Sequence, residues 1–153
     1  MFVKRAKLMV AGVMLLAAAA ATTAAAGTPE EAKARAEKAA ALVAAEGEKA
    51  FPVISDPKGE FFKGDLYVTV LDSKGVVRAN PNPKLIGMNM WEAEDQDGVK
   101  FTQEAWKAVE SAEAGWQKQY KFTNPATKKI EPKKAWVHRV GDYVVLCGVY
   151  LNS

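Results

Sequence analysis

A lysine among aromatic residues is the combination in this chain with the clearest chemistry. Lys133 sits in the run KKIEPKK (residues 128–134), in which four lysines flank one glutamate. Such a run is ordinarily a solvated surface. At the foot of a strand, beside aromatic rings, the same ammonium can instead meet a carboxylate through charge-assisted hydrogen bonds. The rings are Tyr67, Trp106, Trp116, Tyr120 and Trp136. Tyrosine offers an apolar ring with one hydroxyl, which suits the orientation of a small polar ligand. Each of the five is equally at home in a packed core.

Other chemistries find little support. His138 is the only histidine, and with so few co-ligands it reads as a structural residue rather than a metal ligand. Cys147 is the only cysteine, which excludes an internal disulfide and any all-cysteine metal cluster. It lies among Val, Leu and Gly, where cysteine is ordinarily buried and inert. Residues 93–104 faintly echo a calcium loop through Asp95, Asp97, Gly98 and Glu104. Ala93 at the first position and Lys100 at the eighth break the pattern, which leaves an Asp-Gly turn before a helix. No nucleophile–base order stands out, and one histidine leaves few acid–base options. The expectation is a protein that is not an enzyme and holds no cofactor.

The elements that must position these residues follow a simple order. Thr28-Pro29-Glu30-Glu31 is a helix start with a capping threonine and proline at the first helical position. The spacing predicts one helix over residues 29–50, ended by Pro52, with a stripe of Ala32, Ala36, Ala39, Val43 and Ala50. A stripe this small suits close approach to a sheet, or to a second copy of the chain in a homodimer. Residues 66–71 (LYVTVL) and 76–79 read as a hairpin around Asp72-Ser73-Lys74-Gly75. Asn80 to Lys84, with two prolines, cannot be strand interior.

Residues 85–99 read as a loop folded down by Ile86, Met88, Met90 and Trp91, followed by a helix over 101–112 with Thr102 as its cap. Next, Trp116, Lys118, Tyr120 and Phe122 alternate with Gln117, Gln119 and Lys121 along one strand. Residues 123–133 read as a long turn, and 135–140 and 143–150 as two closing strands. The fold class is therefore α+β: a five-stranded antiparallel sheet with a long N-terminal helix and a helix-bearing loop over a pocket.

Charge says where the chain works. Residues 1–26 hold three basic residues (Lys4, Arg5, Lys7) and no acidic ones, then the apolar stretch 8–21, then Ala24-Ala25-Ala26. This is the pattern of a cleaved signal peptide, and the stretch is short for a membrane span, which needs about 20 apolar residues. Cleavage leaves 127 residues with 18 basic and 18 acidic side chains, the size of one domain. A neutral domain is a poor nucleic-acid binder. The expected location is the periplasm, with an uncleaved N-terminal anchor as the alternative.

These blocks, in this order, resemble a known family. The hairpin GDLYVTVLDSKGVVRANPNPKLIGMN, then DQDGVKFTQEAW, then AGWQKQYKFTNPATKKIEPKKAWVHRV, and finally GDYVVLCGVYL are similar to the single Cache domains, over residues 30–152. The resemblance implies an extracytoplasmic sensor with a PAS-like fold. It also implies a pocket between the sheet and the loop-plus-helix segment that takes small organic acids such as acetate, propionate, lactate or pyruvate. Two positions depart from the family pattern. Asn80-Pro81 stands where histidine-proline is common, and Trp136 where tyrosine is common.

The functional expectation is a periplasmic module that binds a small carboxylate. Its site is Tyr67, Trp106, Trp116, Tyr120 and Trp136, with Lys133 pairing the acid. It would report to a separate membrane receptor, kinase or transporter, since a second membrane helix and an output domain are not part of these 153 residues. The alternative is a structural or assembly partner whose pocket is plugged by its own Trp91 or Trp106.

Overall fold

A computed structural model describes residues 26–151. The expected signal peptide, residues 1–26, lies outside the described residues except for Ala26.

Helix α1 spans Pro29–Glu46, capped by the Thr28 side chain, which accepts the Glu31 N–H. It ends at Gly47, which takes a positive φ of 61°. A single turn of 3₁₀ helix (Gly47–Lys49) then leads into α2, Ala50–Ser55. The helix therefore does not stop at Pro52. Because the chain restarts its helix at Ala50, Pro52 falls in a first turn, where its missing N–H has no partner to lose.

Seven strands follow: β1 Phe62–Lys63, β2 Leu66–Asp72, β3 Val77–Ala79, β4 Ala114–Trp116, β5 Tyr120–Thr123, β6 Ile130–Val140 and β7 Tyr143–Tyr150. Helix α3, Phe101–Ala108, lies between β3 and β4. All pairings are antiparallel. The sheet runs β3, β2, β7, β6, with β4 and β5 lying one after the other along the outer edge of β6, and with β1 paired to the start of β2. Its five positions match the expected five-stranded sheet.

Three local expectations are corrected. Helix α3 is four residues shorter than predicted, and Thr102 lies inside it, buried, while Lys100 is the cap residue and makes no side-chain cap bond. Strand β6 starts at Ile130, so Pro132 and Lys133 belong to a strand and not to a turn. Residues 114–123 are two strands with a break at 117–119. Trp116 pairs with Trp136, whereas Tyr120 pairs with Lys133. Four steps along this edge thus face three along β6. One extra residue is a bulge, and it reverses which side chains face which way.

Pairing then assigns the two faces. Val68, Cys147, Trp136 and Trp116 share one row, and Val70, Val145 and His138 the next row on that face. This face packs against the stripe of α1, in which Ala32, Ala36 and Ala39 are fully buried. The stripe is spent on the chain's own sheet, so it cannot be the surface of a homodimer. The opposite face presents Leu71, Val137, Val144 and Leu146, covered by residues 85–109. In the loop, Leu85 and Met90 turn inward, whereas Ile86 and Met88 are exposed, in contrast to the expectation that both fold down.

Candidate functional site: a closed cavity with one cation

Beneath the loop lies a cavity of about 50 Å³. The sheet contributes Tyr67, Thr69, Leu71, Val77, Tyr120, Phe122, Lys133 and Leu146; the cover contributes Asn80, Leu85, Met90, Phe101 and Thr102; Gln117 closes one side. A wider outer cavity of about 330 Å³ shares Tyr67, Asn80, Leu85 and Phe122 with it, so the inner chamber opens behind an outer vestibule.

Lys133 dominates the chamber. It is 2% exposed and the only charged residue among those lining the cavity. Its ammonium donates to the Tyr67 hydroxyl at 2.8 Å and lies 4.1 Å from the centre of the Tyr67 ring, 5.0 Å from that of Tyr150 and 5.3 Å from that of Phe122. Cation–π attraction of this kind offsets part of the cost of burial. Among the described residues it forms no ion pair.

Its position depends on Gly148. A Cβ at that residue would lie 2.0 Å from Lys133 Cε and 3.0 Å from Cδ and Cγ. Glycine there leaves a trough along the sheet in which the lysine stem lies flat, instead of rising to solvent.

The hydroxyls around it are donors. Burial pushes the Tyr67 phenol up to about 12, against the lowering effect of the Tyr150 bond. Burial also raises Tyr150 and Tyr120. All three therefore keep their protons at neutral pH. Tyr150 donates to the Thr123 carbonyl at 2.7 Å, and the Tyr67–Tyr150 contact is long, at 3.4 Å. The Tyr67 proton can thus turn toward an oxygen in the chamber. An ammonium and a phenol side by side are two donors, a combination suited to an anion.

Two buried polar atoms of lining residues lack partners. Thr102 Oγ1 and Gln117 Oε1 are buried with no hydrogen bond. The Gln117 amide nitrogen donates to the Phe101 carbonyl at 3.1 Å, which fixes the amide with its oxygen as the free acceptor. Buried polar groups are nearly always satisfied, so this pair of orphans is the unusual feature of the lining.

The structure brings Tyr67, Tyr120 and Lys133 of the expected set together. It does not bring the three tryptophans there. Trp116 and Trp136 stack edge to face, 5.4 Å apart, on the α1 side of the sheet, with Lys134 over Trp116 and Lys33 over Trp136. The Trp136 indole donates to Glu37 at 2.7 Å. Trp106 donates to the Asp72 carbonyl at 3.2 Å and packs outside the cavity lining. The bulge between β4 and β5 is the reason for Trp116, and the odd spacing from Lys133 to Trp136 along β6 is the reason for Trp136. Trp91 does not line the cavity either.

Sequence reasoning missed Thr102, Gln117, Tyr150 and Gly148. Gln117 was set on the outward side of an unbroken alternation, and no local signal marks the bulge. Asn80, the departure from histidine, is buried and fully engaged. It donates to Thr69 Oγ1 at 2.9 Å and accepts the Asn82 N–H at 2.8 Å, and so anchors the double-proline turn to β2.

The remaining candidates are structural. His138 lies between Glu37 (2.7 Å from Nδ1) and Glu113 (3.4 Å from Nε2) on the helix side. Burial pushes the Cys147 thiol up to about 12, so it stays protonated and unreactive. Asp95 caps its turn by accepting N–H groups of Asp97, Val99 and Lys121.

Comparison with known proteins gives the fold relatives. A methyl-accepting chemotaxis protein from Vibrio parahaemolyticus superposes with a TM-score of 0.68 at 19% identity, covering 80% of this chain and 88% of that one. A structure described as carboxylic acid recognition by a Cache chemosensory domain gives 0.62 at 24% identity, covering 80% and 88%. A periplasmic sensor domain of a chemotaxis protein gives 0.61 at 22% identity, covering 80% and 90%. These identities speak for the fold alone. No curated protein sequence matches the chain. The family model of Single Cache domain 2 matches residues 4–153, and the chain belongs to that family.

Proposed function

We propose that this protein is a periplasmic sensor module that captures a small monocarboxylate in the inner chamber. Lys133 pairs the carboxylate and Tyr67 adds a hydrogen bond. The observation that carries this reading is a fully buried ammonium, on a residue lining a cavity, with no ion pair among the described residues. Burying a charge without a counter-ion is costly, and a ligand carboxylate supplies the missing charge.

Size and polarity narrow the ligand. A cavity of about 50 Å³ holds roughly four water-sized volumes, which suits an acid of two or three carbons. A dicarboxylate would bring a second charge with no cation, and an amino acid an ammonium with no carboxylate, since Lys133 is the only charged lining residue. The free Gln117 acceptor and the Thr102 hydroxyl favour a ligand that carries a hydroxyl as well as its carboxylate. A 2-hydroxy acid satisfies all of these groups, and the corresponding plain acid leaves Gln117 unpaired. In this reading the module reports to a separate membrane receptor, kinase or transporter, and the support is its membership of the single Cache family together with a fold shared with chemoreceptor sensor domains.

The test is calorimetry and thermal unfolding of the protein with acetate, propionate, glycolate, lactate, succinate and alanine. A ligand at 100 times its dissociation constant adds about 2.7 kcal/mol of stability, several degrees for a domain of this size. The expected result is stabilisation by short monocarboxylates, strongest with a 2-hydroxyl group, and no effect of succinate or alanine. The absence of any carboxylate effect would sink the reading.

A further inference from the structure

The start of the folded domain holds a feature outside the lining of the ligand pocket. Gly27 donates its backbone N–H to Asp65 Oδ1 at 2.9 Å. Asp65, just before β2, is 4% exposed. Its other oxygen accepts only a long bond from Asn124 Nδ2, at 3.4 Å. Among the described residues Asp65 forms no ion pair. The neighbouring titratable groups do not supply one. Cys147 and Tyr150 of β7 feel its charge, and both are neutral; Lys133 of β6 and Arg35 of α1 act on the same thiol, but among the described residues neither forms an ion pair with Asp65. A buried carboxylate held by one short N–H bond and one long one, with no cation, is incomplete.

Gly27 also packs closely, and a side chain there would have to displace Leu66. A Cβ there would lie 2.3 Å from Leu66 Cγ and within 2.6 Å of both Leu66 methyls. The nitrogen of residue 27 is thus pressed into the domain against Asp65, directly after the Ala24-Ala25-Ala26 segment that follows the apolar stretch 8–21.

We propose that the Ala26–Gly27 peptide bond is the processing site, and that cleavage completes the fold by creating the missing cation. A signal-peptide type of endopeptidase, which accepts small residues at the last and third-last positions of the leader, adds water across this bond. Ala26 leaves as a carboxylate, and Gly27 keeps its nitrogen as a primary amine, which takes up a proton. The new α-ammonium stands where the amide N–H stands now and pairs with Asp65 as a charge-assisted bond. Processing and folding are thereby coupled: the exported chain gains an ion pair that the precursor lacks.

The pH dependence follows from the pairing. An α-amino group ordinarily titrates near ~7.7–8.0, and an anionic partner raises it. Its contribution to stability is full below about pH 8 and is lost as pH climbs through the raised value.

The experiment uses the full chain, expressed with its leader in a bacterium and recovered from the exported fraction, alongside Asp65→Asn. Intact mass and N-terminal sequencing should give Gly27 as the first residue of both. The wild-type α-amine, followed by NMR titration or by labelling with an amine-reactive ester, should titrate well above the ordinary range and label slowly at pH 8. Asp65→Asn should return both to ordinary values and lower the melting temperature by roughly 4 °C or more at pH 7. If Asp65→Asn does not fold, the wild-type titration decides alone. A first residue other than Gly27, or a wild-type α-amine that titrates at the ordinary value, overturns the proposal.

Discussion

The two faces of one sheet have been built for different ends. On the helix face, Ala32, Ala36, Ala39, Val68, Val70, Val145 and Cys147 are all fully buried, and the alanine stripe of α1 packs directly on the sheet. On the other face the cover is a long loop and the short helix α3, and beneath them remain a cavity, a buried lysine and two orphaned polar atoms. Adjacent residues of one strand serve both: Val145 faces the helix and Leu146 the chamber. The closely packed face is the platform, and the other face carries the site proposed for a ligand.

The sharpest way to break this contrast is Lys133→Met. Carboxylate affinity should fall by about 3–5 kcal/mol, a hundredfold or more, because the ligand anion loses its partner. The unliganded protein should become more stable by about 1–4 kcal/mol, since an uncompensated buried charge has been replaced by an apolar side chain of similar length. Calorimetric titration and thermal melts read the two opposite signs, and a destabilised apo-protein would show that Lys133 is structural.

Next in size is Leu146→Ala, expected to cost about 2–4 kcal/mol and to shift ligand preference toward a longer acid as the chamber grows. Titration with acids of increasing chain length checks it. The matched change on the other face, Ala36→Leu, should cost about 1–3 kcal/mol by overpacking. Its ligand affinity, measured in the same titration, should be unchanged. If Ala36→Leu altered the preference among acids, the two faces would not be separable.

The smallest effect concerns the cover. Asp95 is desolvated, which pushes its carboxyl up, but N–H bonds from Lys121, Val99 and Asp97 outweigh this and hold it below the usual carboxylate range. Its folded value is depressed, so its stabilisation is present above the unfolded value near ~3.9 and is lost as pH falls through the folded value. Asp95→Asn should cost about 1 kcal/mol or less at pH 7 and flatten the acid limb of the melting curve, as read by thermal melts from pH 7 to 3.

Much of the scaffold was legible because it rests on local rules. The Thr28-Pro29 start, the alanine stripe, the hairpin around Asp72–Gly75 and the two closing strands each carry a periodicity or a capping residue that needs no distant partner. The site was legible only where such rules reached. Lys133, Tyr67 and Tyr120 stand together in the chamber, and the tryptophans do not. Alternation along residues 116–122 is a valid rule for an unbroken strand, but a single bulged residue sends Trp116 to the helix side and Gln117 to the chamber.

The sequence by itself determined the element types, the order of blocks that marks the family, the alanine-lined helix and the presence of a lysine able to meet an acid. Only the tertiary structure decided which face each aromatic serves, that Lys133 is buried, and that Gly148 makes room for its stem. The physical reason is that periodicity is a property of neighbours along the chain. Burial, orphaned polar atoms and a missing counter-ion are properties of neighbours in space, and they exist only once β5, β6 and β7 lie side by side.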